Sequence, residues 1–213
     1  MSYLDLISES VQKGRSKETV AYIIDAIKEG FSAADILNSG LLDGMSKLGV
    51  KFKNNEVYVP DVLVAARALG KGIEELKPMM LNENIKPIGK AVLGTVKGDL
   101  HDIGKNLVKM MLIGSGFEVI DLGVDVSAEA FVNAVKENGP DIVALSALLT
   151  TTMSQQAEVV NALKASGLRE KVKIMIGGAP ITQSYCDEIG ADAYAADAAS
   201  CAEVAKNFVL NKH

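Results

Sequence analysis

Tryptophan is absent from this 213-residue chain, aromatic residues make up only 5% of it, and histidine and cysteine occur twice each. The two cysteines, Cys186 and Cys201, form neither a disulfide framework nor a zinc-binding spacing, so each reads as a small buried side chain. No apolar run reaches the roughly 18 residues of a membrane-spanning helix. The first residues, Met1-Ser2-Tyr3-Leu4-Asp5, lack a basic region and a long apolar core, so no secretory signal is expected and a cytoplasmic location is. Lys and Arg number 22 against 27 Asp and Glu, a net charge of −5, and no basic run occurs. That balance argues against nucleic acid as a partner. Neither Gly-x-Gly-x-x-Gly nor a Walker A loop is present, so nucleotide phosphate has no recognisable cradle.

Residues 1–88 carry helix signals alone. Leu4, Ile7 and Val11 mark a first helix. Val20, Ile23, Ile24 and Ile27 line one face of a second, which Ser16 can cap and Gly30 can end. Ser32-Ala-Ala-Asp35 has a short capping-box pattern. Leu41, Met45, Leu48 and Phe52 recur at helical spacing, and Pro60 suits the first turn of a helix bearing Val62, Ala66, Leu69, Ile73 and Leu76. Four or five helices with short connections predict a helical bundle, followed by a linker at residues 82–87. Gly40, Gly44, Gly49, Gly70 and Gly72 lie in or beside these helices, where each costs about 1 kcal/mol. Close helix packing and a flat ligand or partner lying against the bundle both account for them.

Residues 89–213 change period. Strands are expected at 90–96, 118–123, 141–147, 173–177 and 193–196. Helices are expected near 103–115, 128–138, 153–165, 181–189 and 199–209. Five such units predict an α/β domain with a doubly wound, flavodoxin-like parallel sheet. Continuous apolar strands such as Ile142-Val-Ala-Leu145 suit burial on both faces. Ligands of such sheets bind at the loops that follow the strands.

The first of those loops holds Lys97-Gly98-Asp99-Leu100-His101-Asp102-Ile103-Gly104, with the chain's one internal histidine. Histidine can give one ring nitrogen to a metal while a carboxylate, here Asp99, fixes the other. Gly98 and Gly104 clear space for a bulky ligand. An ordinary helix start, with Asp99 or Asp102 as its N-cap, uses the same residues. Later loops add Ser146, Leu148, Thr150 and Thr152, then Gly177-Gly178, then Asp197-Ala198-Ala199-Ser200. With no second histidine and no cysteine cluster nearby, a metal held by protein side chains alone is poorly supported. A macrocycle that brings its own metal and needs one axial donor fits a single histidine better.

Asp99-x-His101-x-x-Gly104, then 41 residues, Ser146-x-Leu148, then 28 residues, and Gly177-Gly178 resemble the cobalamin-binding signature of B12-dependent methyltransferases and mutases. The preceding bundle, with Glu56-Val-Tyr-Val-Pro60, resembles the cap domain of the methyltransferase branch. In size and layout the chain is similar to the corrinoid proteins of methylamine, quaternary amine, methanol and methoxy-compound methyltransferase systems, and to the cobalamin module of methionine synthase.

The resemblance implies a cap domain at 1–88 and a Rossmann-like cobalamin-binding domain at 89–213. It implies His101 as the lower cobalt ligand of cobalamin or a related corrinoid, with Asp99 and Thr152 completing a relay behind it. It gives Gly98, Asp102, Ile103 and Gly104 to the cofactor-binding loop, Ser146 to the displaced nucleotide base, and Leu148, Thr150, Gly177 and Gly178 to the slot around that base. Ala199 falls near the tail or corrin edge, and Tyr58 and Val59 near the methyl-bearing face. The implied role is a methyl carrier, itself non-catalytic, alternating between cob(I)alamin and methylcob(III)alamin. Its implied partners are a substrate-specific corrinoid methyltransferase, a second methyltransferase to a thiol or tetrahydrofolate, and a reductive activase. A subunit of an adenosylcobalamin-dependent mutase shares the signature but generally lacks such a bundle. A B12-dependent sensor would need an output module, and no DNA reader is evident.

Overall fold

Ser2 and Asp5 exchange hydrogen bonds in a capping box: Ser2 Oγ accepts from Asp5 N at 3.2 Å, and Asp5 Oδ2 accepts from Ser2 N at 3.0 Å. Helix α1 (Tyr3–Gln12) starts there in the computed structural model, which describes residues 2–211. Helix α2 spans Ser16–Lys28. Ser16 is its first helical residue rather than its cap; the cap position falls to Arg15, whose carbonyl already accepts from Thr19 N at 3.0 Å and whose side chain makes no capping bond. Ser32 does cap α3 (Ala33–Asp35), accepting from Asp35 N. A π-helical stretch, Ile36–Leu42, runs from there into α4 (Asp43–Lys53). Helix α5 (Val59–Asn82) has Pro60 in its first turn, where the missing N–H costs nothing, and continues through Pro78 into the segment expected to be linker.

The contacts divide the chain after Pro87, with Gly114–Gly116 assigned to the first unit. The first unit is helical. Its core includes Ile7, Ile23, Ile36, Leu41, Met45, Leu48, Leu69 and Leu76. Three of its glycines are explained by packing. A Cβ on Gly40 would lie 3.0 Å from Ile7 Cγ2, one on Gly44 2.6 Å from the Ser8 carbonyl oxygen, and one on Gly72 2.5 Å from Leu41 Cδ2. A Cβ on Gly70 would meet nothing within 4 Å.

The second unit alternates β1 (Gly89–Thr95), α6 (Ile103–Gly114), β2 (Phe117–Asp121), α7 (Ala128–Asn138), β3 (Ile142–Ser146), α8 (Met153–Ala165), β4 (Lys173–Gly177), α9 (Gln183–Ile189), β5 (Ala193–Tyr194) and α10 (Ala198–Leu210). All pairings are parallel in the order β2-β1-β3-β4-β5, the flavodoxin-like order expected of a doubly wound sheet. Several elements are shorter than the sequence pattern suggests, β5 and α9 among them, and β3 runs only from Ile142 to Ser146. β5 ends at Tyr194, and α9 starts at Gln183, after the cap Thr182, rather than near 181. The order reverses between β1 and β3, so the loops leaving those two strands flank the switch point where open sheets take ligands. Ser146 in β3 pairs with Thr95 on one side and Gly177 on the other, which sets three strand ends level.

Candidate functional site

Along the exposed run of residues 97–104, Asp99 alone is buried, with no exposed surface. Its backbone N–H donates to Val96 O at 3.1 Å, closing the turn in which Gly98 takes φ +79°. The carboxylate then collects donors from two loops. Oδ1 accepts from His101 N at 3.1 Å and from His101 Nδ1 at 2.8 Å. Oδ2 accepts from the backbone N–H of Leu148 at 2.7 Å and of Leu149 at 3.3 Å. Thr152 Oγ1 lies 2.8 Å from the same oxygen and 2.9 Å from Leu149 O; its single proton goes to the carboxylate, the stronger acceptor. The N-cap role considered for Asp99 is therefore replaced: its oxygens serve His101 and the β3–α8 loop.

These bonds settle the electrostatics. Burial pushes the Asp99 carboxyl up, but the hydrogen bonds from Thr152, from the ring and backbone of His101 and from Leu148 outweigh it. They hold the group well below the ordinary carboxylate range. An ionised Asp99 can only accept, so His101 Nδ1 donates to it and Nε2 is the ring nitrogen left free of that bond. The His101 side chain is 51% exposed, which leaves that nitrogen accessible to a metal. Thr95 Oγ1, fully buried at the end of β1, donates to His101 O at 2.8 Å and pins the residue from behind.

The remaining expected residues fall into two groups. Gly98 lies beside the dyad, since a Cβ there would sit 3.7 Å from Thr152 Cγ2. Gly178, with φ +132°, has no room for a side chain because its Cβ would collide with the Ala147 carbonyl. Gly177 O accepts from Ala147 N at 3.1 Å, so the double glycine draws the β3 and β4 exits together. Ser146 is half-buried at its strand end, while Thr150 is exposed. Asp102 bonds the Asn106 side chain at 3.1 Å rather than the dyad. Gly104 is open, since a Cβ there would meet nothing within 4 Å, and Ala199 stands in the first turn of α10, beyond the edge strand β5.

Two residues that the sequence pattern does not single out belong to this neighbourhood. Asp125, between β2 and α7, accepts from Gly98 N through Oδ1 at 2.7 Å. Gln156, fully buried on α8, donates through Nε2 to Leu145 O at 3.0 Å and to Gly177 O at 3.1 Å. Its Oε1 is the buried side-chain polar atom left without a partner among the described residues.

The donor set fits a metal that arrives inside a flat ring. Among the described residues no group of three or more His, Cys, Asp or Glu could hold a metal ion. One imidazole is presented instead, on neighbouring loops that also expose the apolar side chains of Leu100, Ile103, Leu148 and Leu149. Such a surface suits the underside of a macrocycle, and a buried carboxylate behind the ring orients the ligand and sets its basicity.

Comparison with known proteins gives a consistent result. A family model described as B12 binding domain matches residues 89–204, and a second of the same description matches residues 3–77. Dimethylamine corrinoid protein 1 of Methanosarcina mazei is 42% identical over 197 residues, covering 92% of this chain and 91% of that protein. A cobalamin-binding protein from Desulfitobacterium hafniense superposes with a TM-score of 0.81 at 34% identity, over 96% of this chain and 98% of its own. The methanol:cobalamin methyltransferase complex of Methanosarcina barkeri contains a chain that superposes with a TM-score of 0.87 at 29% identity, over 99% of this chain and 80% of that one.

Proposed function

We propose, from the premise that this chain belongs to the B12-binding corrinoid proteins, that it is the methyl carrier of a corrinoid-dependent methyltransferase system. The observation that carries this reading is the Asp99–His101 pair, which leaves a single imidazole nitrogen accessible at the switch point of the sheet. The helical match at residues 3–77 favours a carrier over a mutase subunit. Residues 1–88 then serve as the cap domain and 89–213 as the cofactor domain.

A bound corrinoid would supply a cobalt centre able to carry a methyl group between two methyltransferases. The protein's own residues bind and tune. His101 Nε2 would hold the cobalt. Asp99 would keep the proton on Nδ1, and Thr152 steadies the Asp99 charge, so a change in ligation at Nε2 would be felt through Nδ1 by a buried carboxylate. Ser146 would hydrogen-bond the displaced base. Leu148, Thr150, Gly177 and Gly178 would bound its slot, and Gly98, Asp102, Ile103 and Gly104 would hold the cofactor from their loop, with Ala199 toward the tail. Action on the methyl donor and on the acceptor falls to partners. A substrate-specific methyltransferase, a second methyltransferase to a thiol or tetrahydrofolate, and a reductive activase supply those steps, in the cytoplasm.

The test is the visible spectrum after reconstitution with cobalamin, recorded for the wild type and His101→Ala. The wild type should show a displaced lower base with histidine ligation, and the variant should bind corrinoid but lose the histidine features. Failure of the wild type to take up corrinoid overturns the carrier reading. An unchanged spectrum in the variant overturns the ligand assignment. Carbon-skeleton turnover that demands adenosylcobalamin would replace the carrier by a mutase subunit.

A further inference from the structure

Asp125 is exposed, yet it occupies the left-handed region at φ +54°, where a non-glycine residue is uncommon and carries a cost. What holds it there is a pair of hydrogen bonds to one dipeptide of the neighbouring loop. Its Oδ1 accepts from Gly98 N at 2.7 Å, and its own N–H donates to Asp99 O at 3.0 Å. The backbone around it is laid along the end of β1: Thr95 N donates to Gly123 O, Val126 N to Thr95 O, and Val126 bridges Val96. The β2–α7 loop thus serves as a rail for the chain that leads into the histidine.

We propose that Asp125 is a positioning residue for the axial ligand, clamping Gly98 and Asp99 so that the Asp99 carboxylate meets His101 Nδ1. The inference rests on His101 being the cobalt ligand. The clamp grips the Gly98 N–H and the Asp99 carbonyl, the donor and acceptor of two adjacent residues, and so fixes the orientation of the backbone that carries the carboxylate. It acts alongside the Asp99 N–H to Val96 O bond on a segment, residues 97–104, that is exposed except for Asp99 itself. Without the Asp125 carboxylate, Gly98 N–H turns to water and the turn at φ +79° loses its outer anchor. The Asp99–Nδ1 bond then becomes one of several arrangements, and Nε2 no longer waits in one place or one tautomer. The positive φ at Asp125 fits this role, since strain persists where surrounding bonds over-determine it.

The test separates carboxylate from backbone. Asp125→Asn keeps the Oδ1 acceptor and tolerates positive φ; Asp125→Gly relieves the strain but removes the acceptor. Asp125→Ser, whose shorter hydroxyl falls short of Gly98 N, is the second loss variant should the glycine variant not fold. Two readouts apply. The first is the ring ¹⁵N spectrum of histidine-labelled protein without cofactor; the chain has two histidines, and His101→Ala assigns the signals. The wild type and Asp125→Asn should hold the Nδ1–H tautomer, and the loss variants should shift toward a mixture. The second is the electron paramagnetic resonance spectrum after loading with cob(II)alamin, in which an axial nitrogen splits the cobalt lines. The ratio of histidine-on to histidine-off forms should fall about three- to tenfold in the loss variants, as expected for one net hydrogen bond, and stay unchanged in Asp125→Asn. Loss variants that match the wild type in both readouts overturn the proposal. A wild type without nitrogen splitting overturns the axial-ligand reading instead, and the tautomer spectra still decide for or against the clamp.

Discussion

A fully buried carboxylate survives in ionised form at Asp99 because five donors converge on it, and removing one tests how closely the set is matched. Thr152 is the cleanest to remove, being a side chain that is itself buried. In Thr152→Val the shape is kept and the hydroxyl is lost, so Asp99 Oδ2 retains only backbone partners. Urea unfolding of the cofactor-free protein should register a loss of about 1.5–3 kcal/mol, the usual cost of stripping a hydrogen bond from a buried charge. Thr152→Ser should recover most of it. A valine variant as stable as the wild type, with the loss appearing in Thr152→Ser instead, would mean that the methyl group, not the hydroxyl, does the stabilising. At this scale the sequence is legible where chemistry is local. Asp99 and His101 sit two residues apart, and their pairing follows from type and spacing. Thr152 is 53 residues from Asp99 and is reached only through family resemblance. Asp125 and Gln156 are not reached at all, because they act on backbone amides and carbonyls whose positions depend on strand register.

Helices and strands are legible wherever apolar periodicity is strong, and less so where the backbone departs from it. The π-helical stretch Ile36–Leu42 shifts the phase of its helix, and no residue type announces such an insertion. The bundle glycines allow two explanations in sequence; in the folded chain Gly40, Gly44 and Gly72 answer to packing, through contacts that only the assembled helices create. A tie between α6 and β2 is also invisible in the sequence. Lys105 Nζ, on a side chain only 3% exposed, lies 2.8 Å from both oxygens of Asp121, and Lys109 Nζ lies 3.2 Å from one of them. Burial pushes the Asp121 carboxyl up, but hydrogen bonds from Lys105, Gly123 N and Lys109 outweigh it and hold it below its ordinary value. A carboxyl whose folded pKa lies below its unfolded one adds stability above the unfolded value, and that stability fades as pH falls through about 4 toward the folded value. Urea midpoints for the wild type and Asp121→Asn should therefore differ most near pH 7, by an amount equivalent to about 3 kcal/mol for an uncompensated buried lysine. The gap should narrow on acidification. A gap that does not change down to pH 3 would show that Asp121 contributes by packing alone.

On the scale of the whole chain, both cysteines lie buried in the second unit, Cys186 on α9 and Cys201 on α10, and neither belongs to the proposed site. Burial pushes the Cys201 thiol up to about 12 and raises that of Cys186 as well. Near pH 8 the folded protein thus offers almost no accessible thiolate, and a thiol reagent must wait for the protein to open. Labelling rates then measure the open population of the unit whose strand ends carry His101. A ligand that binds only the folded form lowers that population by the factor 1 + [L]/Kd, so cobalamin at one hundred times its Kd should slow labelling of both thiols about 100-fold when closing outpaces reaction. Parallel slowing at Cys186 and Cys201 would mean that α9 and α10 open together with the sheet that builds the site. Slowing at one thiol alone would identify a helix that frays independently of the site. If uptake is visible in the spectrum and neither rate changes, both thiols react through local fluctuations that leave the binding surface intact, and the second unit does not open as one cooperative body.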